Sequence, residues 1–404
     1  MNQVKQGLKE NWFQFSILIM INAFVGGMVG LERTIFPAFA EQQFGLTSTS
    51  AILSFITAFG ITKAVTNYFT GRLANTFGTK KLLILGWIVA IPIPFILINA
   101  SHWNWIIFAN ILLGINQGLA WSSTVLMKID LVGEKNRGLA MGLNEFSGYI
   151  AVGVVAFLSG YIANRFGLTP YPFYLGIFIA ITGLLLSLVF VSDTRKFISL
   201  EEREHPGNKA ELKNIFLDTT FKNKNLSAIT QAGFVNNLND GMIWGLLPIL
   251  LLSYNFNNAH IGIIAAIYPT VWGIGQLFTG KMSDIYSKKK MLFWGMLVQG
   301  VTIIFLPFSS DILLLACASI VLGLGTALVY PTFLSAIAQE VRPTQRSESI
   351  GTFRLWRDSG YAFGAVISGI TADIFGVATA MVSIGGITIL SSMIIQLRMG
   401  KTTL

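Results

Sequence analysis

Apolar runs of about 20 residues, long enough for a helix to cross roughly 30 Å of hydrocarbon, recur along the whole chain between short polar connections. Twelve can be drawn, at 13–36, 50–74, 80–99, 104–127, 138–165 and 171–192, then at 226–252, 259–283, 290–309, 311–338, 347–373 and 377–398. The pattern predicts a multi-pass, all-α membrane protein with twelve transmembrane helices. The first run follows the charged segment MNQVKQGLKE, is too long for the apolar region of a secretory signal, and carries no small-residue cleavage pattern. It is read as an uncleaved first span.

The chain also repeats itself. Residues 209 apart keep matching: Gly71 with Gly280, Gly86 with Gly295, Gly114 with Gly323, Arg137 with Arg346, Gly142 with Gly351, Gly160 with Gly369, and Phe166-Gly167 with Phe375-Gly376. An offset that holds through five connections means two copies of one unit with few insertions. Two pseudo-symmetric bundles of six helices in the same orientation follow. The expected division is 1–192 for the N-terminal bundle, 193–225 for a charged cytoplasmic linker with a surface helix at LEEREH, and 226–404 for the C-terminal bundle.

Composition agrees with a bilayer as solvent: 53% of the residues are hydrophobic and 12% charged, where a soluble domain carries roughly 25%. The net charge of +9 raises the question of nucleic acid, and the placement of the basic residues answers it. With the N-terminus set in the cytoplasm, all but five of the 28 Lys and Arg fall in the terminal segments and the even-numbered connections or within about three residues of them. The exceptions are Arg33 and Arg165 near outer ends, and Lys63, Arg354 and Arg357 within spans. This is the positive-inside pattern, with both termini cytoplasmic and the chain in a cell (inner or plasma) membrane. No basic excess is left for nucleic acid. The single cysteine, Cys317, lies in an apolar run, and His102, His205 and His260 are scattered through connections, so no disulfide framework or thiolate metal site is expected. No metal and no cofactor is predicted.

Two connections carry a motif. The one after the second run reads GRLANTFGTKK at 71–81, and its repeat partner reads GKMSDIYSKKK at 280–290. With the six-plus-six repeat, these resemble the major facilitator superfamily, whose signature between helices 2 and 3 runs roughly Gly-x-Leu-Ala-Asp-Arg-x-Gly-Arg-Lys. The resemblance covers the whole chain in topology and two short motifs in detail. It implies halves that rock about a central cavity to alternate its access, with Gly71, Asn75, Gly78, Gly280 and Asp284 in the gating loops. Glycine there permits a tight turn and close helix approach. The chain departs from the family pattern at Asn75, where an acid is usual, so a charge-assisted contact with a neighbouring helix end becomes a neutral one; Asp284 keeps the acid. Asn110 stands where an arginine is usual in the fourth helix, and the fifth run lacks the Gly-Pro pair of many drug/proton antiporters. Both departures argue against a drug exporter of that type.

A charge at the bilayer centre costs at least about 2.5 to 3.5 kcal/mol on insertion scales, and such residues mark ion or substrate paths. Glu32, Arg33, Lys63, Glu145, Asp240, Arg354, Arg357 and Asp358 qualify, and mutual pairing of these charges is the competing reading. In the stretch RLWRDSGY, Arg354 and Asp358 are four apart on one helix face and are expected to pair. Arg357, near mid-membrane, is then left to seek a partner elsewhere. The resemblance places helices 2 and 11 across the interface between halves, so Lys63 and Arg357 are expected to bind an anionic group of the substrate. Arg354 is kept in the same set. Carboxylates in a low-dielectric cavity can load and release protons. Glu145 and Asp240 lead, having no obvious basic partner one turn away; Asp358 and Glu32 follow, Glu32 being as easily an outer-interface residue. Gln117, Trp121, Asn237, Trp244, Trp272 and Gln276 are candidates to line a cavity. For each, helix glue or gap filling is the competing reading. Gly360, Gly364 and Ser368 are spaced for close helix contact, and Pro37, Pro248, Pro269 and Pro331 for kinks.

The expectation is therefore a secondary active transporter, not an enzyme. It moves a small polar, anionic solute by alternating access, in symport with protons or another coupling ion, as a monomer in the lipid bilayer. Multidrug or metal-chelate efflux and a non-transporting receptor or sensor stay open as alternatives. No Gly-x-x-x-x-Gly-Lys-Ser/Thr segment is present to hold a nucleotide phosphate.

Overall fold

The computed structural model describes residues 5–33, 35–45, 54–133, 136–204, 211–256 and 258–400; helices dominate, with no strand among the described residues. His205 lies outside that description, as do the side chains of Arg33, Pro37, Pro248 and His260. Twelve long helices follow in order: α1 Trp12–Arg33, α2 Ser54–Phe77, α3 Thr79–Ala90 continued as Pro92–Ile98, α4 Trp103–Val132, α5 Arg137–Phe166, α6 Tyr171–Val189, α7 Lys224–Ser253, α8 Asn258–Ile285, α9 Lys288–Phe305, α10 Ile312–Glu340, α11 Arg346–Phe375 and α12 Val377–Arg398. Each expected span falls on one of them. The break in α3 follows from Pro92, which has no N–H to continue the ladder and starts a new helical segment instead. Pro269 and Pro331 lie inside α8 and α10.

Among the described residues, eight helices are long and apolar enough to cross a bilayer by composition alone. The long helices outside that set are α2, α7, α8 and α11. These carry Lys63, the cluster from Asn236 to Asp240, Gln276, and the group Arg354, Arg357 and Asp358, all of them buried. Protein, not lipid, solvates such side chains.

Contacts divide the chain into two compact units, Met1–Gly133 with Ser147–Pro206, and Glu134–Phe146 with Gly207–Leu404. The first turns of α5 thus group with the second unit. Within the first unit α4 packs on α2, α3 and α1; within the second, α10 packs on α8 and α9 while α7 packs on α11 and α12.

One seam is built twice from glycine. A Cβ on Gly114 would lie 2.8 Å from the Phe59 carbonyl oxygen and 3.0 Å from the Lys63 amide. At the position 209 residues on, a Cβ on Gly323 would lie 2.8 Å from the Tyr268 oxygen and 3.1 Å from the Trp272 amide. On α11, a Cβ on Gly360 or Gly364 would sit 2.3 Å from the carbonyl oxygen of Phe234 or Leu238 on α7. A backbone oxygen cannot turn aside as a side chain can. Gly360→Ala is therefore expected to cost about 1 to 3 kcal/mol and to lower the melting temperature in detergent. Gly369→Ala, whose Cβ meets nothing within 4 Å, is the matched control and should melt with the parent or slightly above it. Equal melting of both variants would contradict the close α7–α11 approach.

Candidate functional site

The second unit is organised around the run Asn236-Asn237-Leu238-Asn239-Asp240 of α7, none of whose polar side chains is more than 1% exposed. Helical geometry separates them into two roles. Asn239 turns towards α9 and α12, donating to Gln299 Oε1 at 3.2 Å and accepting from Thr388 Oγ1 at 2.6 Å. Asn237 and Asp240, three residues apart, share another face. The Asp240 carboxylate accepts from the Tyr268 hydroxyl of α8 at Oδ1, and from the Tyr361 hydroxyl of α11 at Oδ2 over 3.4 Å. Tyr268 also lies 3.2 Å from Thr326 Oγ1 of α10. Asn237 accepts from the Tyr330 hydroxyl of α10 at 3.1 Å and donates to Asp358 Oδ1 of α11 at 3.3 Å.

Within RLWRDSGY, Arg357 does not look elsewhere for a partner: it bonds Asp358, donating from Nε at 2.9 Å and Nη2 at 2.8 Å to Oδ1. Its guanidinium also lies 5.3 Å from the Tyr330 ring centre and 5.8 Å from that of Phe353. Neighbouring residues leave a helix in different directions, but the arginine stem is long enough to fold its head back onto the adjacent carboxylate. Arg354, fully buried, lies in the field of Glu145 and Asp358 and of the like charge of Arg357. Glu145, 1% exposed, therefore has a cation acting on it that spacing along its own helix does not reveal; it also accepts from Asn144 Nδ2 at 2.7 Å.

Trp272 fills the space between Tyr268 and Tyr330, with ring centres 5.9 and 4.8 Å away. One turn on, Gln276 is fully buried, and neither of its amide atoms meets a hydrogen-bond partner among the described residues. An amide buried in that way costs roughly 1 to 3 kcal/mol, which is affordable where a ligand supplies the partner. Trp244 is half-buried on α7.

The first unit holds the same corner with different chemistry. Lys63, 9% exposed, places Nζ 5.5 Å from the Phe59 ring centre and 5.6 Å from that of Trp121. Phe59, Lys63 and Trp121 stand 209 residues before Tyr268, Trp272 and Tyr330. A cation among rings in one half thus answers to a tryptophan among tyrosines in the other. Trp121 packs on Tyr149 at 5.6 Å, and Gly148 makes room for it, since a Cβ there would reach its ring at 2.3 Å. Gln117 ties α4 to α1, its Nε2 donating to the Val25 carbonyl at 2.8 Å and to Asn116 Oδ1 at 3.1 Å. Glu32 is buried near the end of α1 at 4% exposure. Lys128, assigned to a connection by its place in the sequence, is also fully buried and donates to the Leu18 carbonyl at 3.1 Å.

At the loop motif of the second unit, Asp284 lies just past the eighth span. Its two carboxylate oxygens accept from the amides of Gly138 at 2.7 Å and Leu139 at 3.0 Å, at the N-terminus of α5. An anion there satisfies orphan donors and meets the positive end of the helix dipole. Burial pushes the Asp284 carboxyl above the usual carboxylate range, against the two amide bonds and the charges of Lys281 and Lys288. Gly280 permits the approach, for a Cβ there would sit 2.7 Å from both the Gly138 oxygen and the Gly142 Cα. In the first unit Gly71 is buried, Asn75 is exposed near the end of α2, and Gly78 has a φ of 84°, a turn that glycine suits. Asp284→Ala is expected to cost about 0.5 to 2 kcal/mol, read as a lower melting temperature, with Asp284→Asn losing less. Asp284→Ala melting at the parent temperature would remove the cap from consideration.

Sequence reasoning missed Tyr268, Tyr330, Tyr361 and Phe59. A signal for them exists: Tyr268, Trp272 and Gln276 follow one another at four-residue spacing, Tyr361 stands three after Asp358, and the 209-residue offset carries Trp121 onto Tyr330.

Comparison with known proteins agrees with this architecture. The proton-coupled antiporter flippase LtaA of Staphylococcus epidermidis is 26% identical over 89% of this chain and 87% of that one. Multidrug resistance protein 2 of Bacillus subtilis is 23% identical over 92% of each. Among solved structures, the human organic anion transporter MFSD10 (TETRAN) superposes with a TM-score of 0.81 at 13% identity, covering 96% of this chain and 99% of that one, a likeness of fold alone. The family model of the Major Facilitator Superfamily matches residues 15–229 and 229–401. Because that match runs through both six-helix repeats, the chain belongs to the Major Facilitator Superfamily of membrane transporters.

Proposed function

We propose that the protein is a proton-coupled secondary transporter of a cargo bearing an anionic group, with Lys63 as the anion-binding cation and Asp240 as the proton carrier. The observation that carries this reading is the division of chemistry between equivalent corners of the two halves. In the first, an ammonium is held between the rings of Phe59 and Trp121, whose faces position its charge. In the second, the Asp240 carboxylate is held by tyrosine hydroxyls. Hydroxyl donors bring no charge of their own, so the net charge of that cluster changes with the proton on Asp240.

The remaining candidates rank accordingly. Arg357 is already engaged by Asp358, so an anion must compete for it, and Arg354 belongs with Glu145 in one electrostatic group. Gln276, Trp272 and Trp244 supply an amide and two rings for the cargo in the second half. Asn237 and Asp358 act between those groups, and Gln117 holds helices together. The transporter works as a monomer in the cell membrane with both termini in the cytoplasm, where the basic connections would lie.

The name of LtaA, a proton-coupled antiporter flippase, supports proton coupling and favours a second reading, in which a proton is exchanged for an amphiphilic cargo instead of accompanying a small solute. One experiment addresses both. Purified protein is screened by thermal shift against organic anions, anionic amphiphiles and cationic drugs, and the stabilising compounds are then offered to liposomes with an imposed pH gradient. Stabilisation by anions and accumulation that follows the gradient are expected. Accumulation on the acidic-outside gradient means symport, and on the opposite gradient exchange. Stabilisation by cations alone would overturn the anion reading.

A further inference from the structure

The geometry points to a side-chain relay in the second half that lets the proton on Asp240 control the hold of Asp358 on Arg357, an inference that rests on Asp240 being the proton carrier. From Asp240 Oδ2 the Tyr361 hydroxyl is 3.4 Å away, and from there the Tyr330 hydroxyl is 3.5 Å away. Tyr330 donates to Asn237 Oδ1 at 3.1 Å, and Asn237 Nδ2 donates to Asp358 Oδ1 at 3.3 Å. That same oxygen receives both Arg357 donors, at 2.9 and 2.8 Å. Two buried carboxylates on different helices, one held by hydroxyls and one by a guanidinium, are thus joined through two phenols and an amide.

Each phenol has a single hydrogen to give, and this makes the chain directional. With Asp240 ionised, Tyr361 gives its hydrogen to the carboxylate and can only accept from Tyr330. The Tyr330 hydrogen is then drawn towards Tyr361 and away from Asn237. With Asp240 protonated, its pull on Tyr361 is lost, Tyr361 can donate to Tyr330, and Tyr330 gives its hydrogen wholly to Asn237. Asn237 is thereby held with its Nδ2 on Asp358 Oδ1, where it competes with Arg357 for one oxygen. Proton binding at Asp240 loosens Arg357 from Asp358, and proton release clamps it. The Asn237 amide neither gains nor loses a proton, so orientation passes along the chain while the proton stays on Asp240.

The ionisable side chains on the elements packed against this part of α7 are Tyr268 on α8, Tyr330 on α10, and Arg354, Arg357, Asp358 and Tyr361 on α11. The one ionisable group of α12, Arg398, bonds Ser227 at 2.8 Å, at the other end of α7. A loosened Arg357 offers its guanidinium to an anionic cargo. Because coupling is reciprocal, proton and anion then favour each other's binding, which is the requirement of symport. Tyr361, Tyr330 and Asn237 act as positioning residues in this scheme.

Infrared difference spectroscopy of the full-length protein in phosphatidylcholine liposomes, between alkaline and acidic buffer, tests the relay without a known cargo. The parent should show a protonated-carboxyl band that Asp240→Asn removes, together with a guanidinium shift that Arg357→Lys removes. Tyr361→Phe, which deletes one hydroxyl and keeps the ring, should retain the carboxyl band and lose most of the guanidinium shift. Tyr330→Phe breaks the next link and should do the same, so the test survives if either variant fails to fold. A guanidinium shift that persists in both variants, or is missing from the parent while the Asp240 band is present, overturns the relay alone. Absence of an Asp240 band from the parent overturns the relay and the assignment of Asp240 together.

Discussion

Asp240→Asn is expected to reduce gradient-driven accumulation of cargo to a ratio of about 1, because a carrier with no proton linkage has no coupling free energy between the two flows. Downhill exchange should survive. Asparagine has nearly the volume of aspartate and still offers Oδ1 to the Tyr268 hydroxyl, so the packing of α7 against α8 and α11 is largely kept. What it cannot do is change charge as the site meets the two sides of the membrane. The measurement is paired uptake in liposomes with and without an imposed pH gradient, using a cargo found by thermal shift. Accumulation equal to the parent would remove Asp240 from the mechanism. Loss of both accumulation and downhill exchange would show a structural role instead, and the melting temperature would fall with it.

Lys63→Gln is expected to weaken cargo binding by about thirtyfold to several thousandfold. The basis is the loss of about 2 to 5 kcal/mol when one partner of a buried, hydrogen-bonded charge pair is removed, converted at 1.4 kcal/mol per tenfold. Without cargo the variant should be as stable as the parent or more so, because an ammonium taken from water is an expensive occupant of a helix interface even beside ring faces. Lys63→Arg keeps the charge and the ring contacts and should recover part of the affinity. The readout is the shift in melting temperature with cargo concentration. An undiminished shift in Lys63→Gln would sink the anion site, whereas a lowered melting temperature without cargo would make Lys63 a structural residue.

The two largest effects fall on residues that composition alone brings forward, since a charge in an apolar run is conspicuous. How each charge is used was not legible. Spacing on an ideal helix points Arg354 at Asp358 and gives no sign that Arg357 bonds the same carboxylate in the folded chain. The stem of an arginine spans several ångströms, and rings of Tyr330 and Phe353, distant in sequence, hold its head in place. Glu145 likewise has no basic neighbour on its own helix, and its relation to Arg354 arises only because the first turns of α5 join the second unit. The three asparagines of α7 look alike in a row, but only contacts with Gln299 and Thr388 mark Asn239 as structural and set Asn237 apart.

The twelve spans, their six-plus-six repeat and the superfamily are legible along the chain, because a bilayer imposes a length on every apolar run and a duplicated unit keeps its register in its glycines. The same register sets Lys63 and Trp272 at equivalent positions. What surrounds those positions follows from the packing of helices distant in sequence. Whether a buried charge is positioned by rings, paired with a neighbour or held by hydroxyls depends on side chains contributed by other helices, and no periodicity along one helix carries that information.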